Sequence, residues 1–234
     1  MKTLGLLGGM SWESSIVYEK IINEAVREAL GGVASADLII RSFNFADIEH
    51  LQAHGKWEEA GEVLARAARD LEHAGAEAMV LCTNTMHQVA HAIEADISIP
   101  LLHIVDATGD AIRQEGVKRV ALLGTRYTME QPFYRDALAQ RYDLDVVVPS
   151  KHERETIHRI IYDELVQGVI KPSSRDQVRE IISRMSREEG ITGVIAGCTE
   201  IELLVTEDAI DSAYFPTTTL HAQYAAHFAL KGGV

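Results

Sequence analysis

The chain has little cysteine, little proline and a deficit of positive charge. Its 234 residues include 2 Cys and 5 Pro, and 22 Lys and Arg stand against 35 Asp and Glu, a formal net charge of −13. That balance argues against nucleic acid and anionic membranes as partners, because neither would be neutralised. No basic run offsets it locally. No apolar stretch approaches the roughly 20 residues that span a bilayer. The apolar stretch near Met1 is too short for a signal segment and has no small-residue cleavage site after it, so the chain reads as cytoplasmic, where thiols stay reduced. Cysteines as far apart as Cys82 and Cys198 make neither a Cys-x-x-Cys pair nor a zinc set, and no metal site is expected. The G-x-G-x-x-G and G-x-x-x-x-G-K-[ST] patterns are missing, which weakens nucleotide readings.

What is present is an ordinary globular composition, 47% hydrophobic, in which short apolar runs alternate with helical patterns. Strands are expected at 3–7, 37–43, 78–82, 97–104, 117–123, 145–148 and 194–197, and helices at 11–30, 57–73, 86–95, 129–141, 153–166, 175–189 and 220–230. Continuous apolar strands separated by helices point to parallel sheets covered on both faces. A shift of 116 residues lays Leu6-Leu7-Gly8 on Leu122-Leu123-Gly124, Cys82-Thr83 on Cys198-Thr199 and Pro100 on Pro216. The expected fold is therefore α/β, with two pseudo-symmetric doubly wound parallel-sheet domains and the active site in the cleft between them. Residues 1–105 with 208–234 would form the first domain and 106–207 the second.

In such sheets ligands bind beyond the carboxyl ends of the strands. Three segments there carry polar or flexible chemistry: Gly8-Gly9-Met10-Ser11, Cys82-Thr83-Asn84-Thr85 and Gly197-Cys198-Thr199-Glu200. The first opens a helix, so its N–H groups are candidates for holding an anion such as a carboxylate. A lone cysteine after an apolar strand is usually inert core. Here both sit at a strand exit, each followed by Thr, and both recur in a duplication. A thiol titrates close enough to neutral pH to serve as base or acid at a carbon, and two such groups on opposite faces would move a proton across it.

These motifs, Gly8-Gly9-Met10-Ser11-Trp12-Glu13-Ser14, Leu81-Cys82-Thr83-Asn84-Thr85-Met86-His87 and Ala196-Gly197-Cys198-Thr199-Glu200-Ile201, resemble the aspartate/glutamate racemase superfamily, and within it the aspartate racemase branch. The resemblance covers essentially the whole chain. It implies cofactor-independent, two-base racemisation of a small amino-acid substrate, with no pyridoxal phosphate, in a homodimer. Many relatives read Cys-Asn-Thr in the first motif, whereas this chain reads Cys82-Thr83-Asn84-Thr85. The internal repeat pairs Cys82 with Cys198; anchoring on Asn84-Thr85 puts Thr83 in the catalytic position instead. Neighbouring strand residues face opposite ways, so at most one of the two faces the cleft. The Asn-Thr anchor is preferred, because those side chains bind substrate, and the chain then resembles bacterial L-aspartate/glutamate-specific racemases with a Thr/Cys pair.

Thr83 and Cys198 are thus the expected catalytic groups, Cys198 the competent base and Thr83 the weaker partner. The resemblance places Met10, Gln52, Asn84, Thr85, Thr199, Glu200 and Lys171 at the substrate. Glu200 is a candidate for orienting Cys198 or for capping the following helix, and His87 for packing or capping. The stretch Phe43-Asn44-Phe45-Ala46-Asp47 lacks the carboxylate-binding Arg of other members, which leaves neutral side chains open as substrates. Sister chemistry on the same scaffold (hydantoin racemase, maleate isomerase, arylmalonate decarboxylase) and a small-molecule-binding protein of low turnover are the competing readings. A thiol redox switch is a third.

Overall fold

A computed structural model describes residues 1–231. The strands are β1 (Leu4–Gly8), β2 (Leu38–Ser42), β3 (Ala78–Leu81), β4 (Leu101–Leu102), β5 (Arg119–Gly124), β6 (Asp145–Val147), β7 (Gly193–Gly197) and β8 (Ala213–Pro216). They form two four-stranded sheets of order β2-β1-β3-β4 and β6-β5-β7-β8, with every neighbouring pair parallel. The identical order is the duplication that the repeat foretells. β1, β3 and β7 are buried along their whole length, as strands covered by helices on both faces must be.

The chain divides into two compact units, one of residues Met1–Ile104 with His221 onward, the other Val105–Leu220. Residues 208–220, expected in the first domain, lie in the second unit, because β8 pairs with β7 in register from Gly193↔Ala213 to Ala196↔Pro216. In the first unit one face of the sheet packs Leu7, Met79 and Leu81 with helix Trp57–His73. The other packs Leu4, Leu6, Val80 and Cys82 with helices Trp12–Leu30 and Thr217–Lys231. In the second unit Ala121, Leu123, Val194, Ala196 and Cys198 pack with helices Lys151–Asp163 and Pro172–Glu189. Among the described residues no helix is long and apolar enough to cross a membrane.

Several expected elements change form. The strand expected at 97–104 shrinks to two residues after Pro100, and Ile104–Gln114 is a helix. The helix expected at 129–141 is broken at Pro132, with Gln131 extended at ψ 144°, since Pro disfavours the helical region for the residue before it. The segment after β3 starts as a 3₁₀ turn, Thr85–Val89, before the α-helix Ala90–Glu94.

Candidate active site

The strand register decides which residues of the two units correspond. β1 and β5 match at the 116-residue shift, so Leu7 corresponds to Leu123. Leu7 lies beside Leu81 and Leu123 beside Ala196. Leu81 therefore corresponds to Ala196, and two residues on, Thr83 corresponds to Cys198. The second unit is one residue shorter between these strands. A one-residue slip reverses every side chain, so the equivalence of Cys82 with Cys198 suggested by the repeat does not hold. The matched prolines part as well: Met79 pairs with Leu101 and Val194 with Tyr214, which sets Pro100 against Ala213.

Cys82 fits that register. It is 0% exposed, packed with Val80, Leu6 and the alanines of the C-terminal helix, and burial pushes its thiol far up from its ordinary value. Thr83 is 9% exposed. It leaves β3 in a tight turn in which its N–H donates to the Leu81 carbonyl at 2.8 Å. Asn84 and Thr85 follow, also buried, at the start of the 3₁₀ turn. His87 donates from Nδ1 to the Thr83 carbonyl at 2.7 Å.

At the end of β1, Gly9 has φ +85°, and a Cβ there would run into the backbone N and O of Phe43, so only glycine makes this turn. Its N–H donates to Ser15 Oγ at 2.7 Å, and Ser15 Oγ donates to the Ser11 carbonyl. Ser11 caps helix Trp12–Leu30 by accepting from the Ser14 N–H. The Gly9 amide, expected to be available to an anion, is thus already engaged within the turn. Met10 is buried in the same cluster as Leu51 and Met86. Gln52 is buried too and donates from Nε2 to Met86 Sδ at 3.0 Å. Met10, Gln52, Thr83, Asn84 and Thr85 all belong to the first unit.

In the second unit Cys198 is the N-cap residue of the short helix Thr199–Leu204 and is 7% exposed. Its Sγ donates to Glu200 Oε2 at 2.9 Å. Burial, then the adjacent Glu200 carboxylate, drives its thiol well above the ordinary value, so the resting group is S–H hydrogen-bonded to a carboxylate. The Glu200 side chain thus contacts the thiol directly. Thr199 Oγ1 accepts from Thr218 Oγ1 at 3.0 Å. Glu202, the residue after Ile201, accepts from the Thr218 N–H at 2.7 Å, and burial raises its carboxyl to about 7. Nothing in the sequence flags Glu202, whose titration depends on helix Thr217–Lys231 beginning against it. Lys171 is exposed just before helix Pro172–Glu189, its ammonium paired with Glu164 at 3.3 Å.

Known proteins share this architecture. The family model described as Asp/Glu/hydantoin racemase matches residues 7–225. A crystal structure of a candidate Asp/Glu racemase from Yersinia pestis is 50% identical with TM-score 0.93, covering 99% of this chain and 100% of that one. An aspartate racemase homologue from Pyrococcus horikoshii OT3 is 35% identical with TM-score 0.87, covering 99% and 100%. The broad-specificity amino-acid racemase RacX of Bacillus subtilis is 22% identical over 63% of each chain. A glutamate racemase of Actinobacillus pleuropneumoniae is 28% identical over 55% of this chain, and the match spans about half, 47%, of that relative.

Proposed function

The chain belongs to the Asp/Glu/hydantoin racemase family, and on that premise we propose that it is a cofactor-independent amino-acid racemase with Cys198 and Thr83 acting on opposite faces of one α-carbon. The observation that carries this reading is the strand register, which makes Thr83 the counterpart of Cys198. Cys82 is turned into an apolar core, where a thiolate would be strongly penalised. Among the described residues none of the seven lysines is buried, so none has the desolvated setting that activates a Schiff-base lysine.

The chemistry follows from the resting protonation state. Cys198 passes its proton to Glu200 and, as thiolate, removes the substrate α-proton. The Thr83 hydroxyl returns a proton to the opposite face and is itself replenished from solvent, while Glu200 gives up the thiol's proton to solvent, so both groups return to their resting state. Hydroxyl and amide donors at Thr199, Asn84 and Thr85 supply hydrogen bonds to the carboxylate as charge develops. A hydroxyl is a far weaker acid than a thiol, so the two enantiomers are used unequally. Gln52, an amide bonded to Met86, favours uncharged as well as acidic side chains, in line with the broad specificity named for RacX.

Incorporation of solvent deuterium at the α-carbon, followed over a panel of D- and L-amino acids, tests the reading. Exchange and inversion with aspartate, glutamate or a neutral relative are expected, both lost in Cys198→Ala. Full exchange in Cys198→Ala would remove Cys198 from the mechanism. Saturable binding with no exchange in the native chain would replace the racemase reading with that of a binding protein.

A further inference from the structure

Three buried histidines lie together in the first unit, outside the groups used above: His87, His103 and His221. The rings of His87 and His103 are 4.5 Å apart, and those of His87 and His221 are 5.7 Å apart. The hydrogen-bond partners of two of them fix the tautomer without reference to any assigned hydrogen. His221 Nε2 faces the Leu102 carbonyl at 2.6 Å and must donate; its Nδ1 then accepts from Tyr18 Oη at 2.8 Å. His87 Nδ1 faces the Thr83 carbonyl at 2.7 Å and must donate, while its Nε2 faces the Ile104 N–H at 3.3 Å and must accept. A protonated His87 would set one donor against another, so the geometry admits only the neutral ring. Of the groups acting on it, only the Thr83 carbonyl favours the charged ring, and it is outweighed. Burial, His103 on the segment after β4 and His221 on the C-terminal helix all lower its affinity for a proton. Tyr18, on the first helix, reaches it through His221.

The second unit shows what this imidazole replaces. There the carbonyl of Cys198, the counterpart of Thr83, accepts from the helix amides of Ile201 and Glu202 at 3.0 and 3.4 Å. In the first unit the segment after Thr83 opens as a 3₁₀ turn, and a side chain takes over that work. The other end of the same ring holds Ile104, the last residue before the chain crosses into the second unit, and His221 is the first residue after it returns.

Resting on the racemase reading for its catalytic consequence, we propose that His87 is a positioning residue: a neutral, Nδ1-protonated imidazole that clamps the Thr83 carbonyl and so holds the Thr83 hydroxyl on target, while its Nε2 ties that clamp to the chain crossing at Ile104. Misplacing a reacting group by about 1 Å costs on the order of a hundredfold, so even partial slackening of Thr83 is measurable. The loss is one-sided, since Cys198 is held by a different device in the other unit.

The test has an arm that needs no activity. In ¹⁵N-histidine NMR of the full-length native chain, His87, identified by its loss in His87→Gln, is expected as the Nδ1–H tautomer, neutral from about pH 8 to about pH 5. An Nε2–H tautomer, or titration near the ordinary value of 6.5, would overturn the proposal. The second arm compares His87→Leu with His87→Asn, whose amide nitrogen falls near the place of Nδ1. In His87→Leu, inversion is expected to fall at least about tenfold, while deuterium exchange without inversion persists within about twofold for the enantiomer that Cys198 deprotonates. His87→Asn is expected to recover most of the inversion. Equal loss of inversion and exchange in both variants would reduce His87 to a packing residue. If the native chain shows the Nδ1–H tautomer yet exchanges no α-proton, the racemase reading fails and the clamp stands as structure alone.

Discussion

At the scale of the residue, the two cysteines separate into unlike groups. Cys82 is core, and its removal acts on stability. Cys82→Ala is expected to cost about 1–2 kcal/mol, as small deletions in a packed interior do, with inversion kept within about twofold; thermal unfolding and the exchange assay check both. Thr83→Ala, one position along, is expected to abolish inversion and leave stability nearly unchanged. The opposite outcome would return the catalytic position to Cys82. Cys198 is governed by its neighbour. Burial raises its thiol first and the Glu200 charge adds to it, so Glu200→Gln, which removes the charge and keeps an acceptor, is expected to lower the thiol's titration. Read as alkylation rate against pH in a Cys82→Ala background, the midpoint moves towards neutral pH, while inversion falls because the proton acceptor is lost. The racemase reading survives without that shift; the role given to Glu200 does not.

At the scale of the element, patterns with a strong period are legible in the sequence and short or competing ones are not. Helix Trp57–His73 has the bounds its apolar spacing predicts, since Leu64, Ala67, Ala68 and Leu71 all face the core. Helices Phe45–Ala53 and Thr199–Leu204 have too few turns to show a period. Helix Ile104–Gln114 hides behind the apolar residues that precede it. The candidate site is legible in its residue types, and its register is legible from the Asn84-Thr85 anchor but not from the repeat. The repeat is one residue shorter between β5 and β7 than between β1 and β3, and an ungapped shift matches Cys82 rather than Thr83 to Cys198. The Asn84-Thr85 anchor points to the register the strands adopt, because polar side chains at a strand exit must keep their face. Tertiary pairing alone explains Glu202, which sits where helix Thr217–Lys231 starts and accepts from its Thr218 and Thr219 groups. Its carboxyl titrates at about 7 against an ordinary 4.5. A raised carboxyl means that the folded state binds the proton more tightly, so its contribution is fully present below about pH 4.5 and is lost as pH rises through about 7. Glu202→Gln is expected to flatten the stability–pH curve over that window, by about 1–3 kcal/mol at about pH 8, in denaturant titrations at several pH values. A curve as steep as that of the native chain would assign the dependence to another group.

At the scale of the whole molecule, one topology is used twice with different chemistry at the matching strand exits. Each unit has its own four-stranded sheet and its own apolar core, which is the condition for folding alone. Val105–Leu220 is continuous in sequence and carries Cys198, Glu200 and Glu202. The first unit is interrupted, but its two segments come back together closely: His221 bonds the Leu102 carbonyl at 2.6 Å, so a short linker from Ile104 to His221 closes it. Both pieces are expected to be produced as folded domains with cooperative thermal transitions. The piece 105–220 is expected to keep the Glu200 share of the raised Cys198 thiol, because Glu200 lies within it. On the proposed two-base reading, neither piece alone is expected to invert an α-carbon, since Thr83 and Cys198 fall in different pieces. Inversion by 105–220 by itself would mean that Cys198 and Glu200 suffice, and the duplication would then be scaffold without a share in the chemistry.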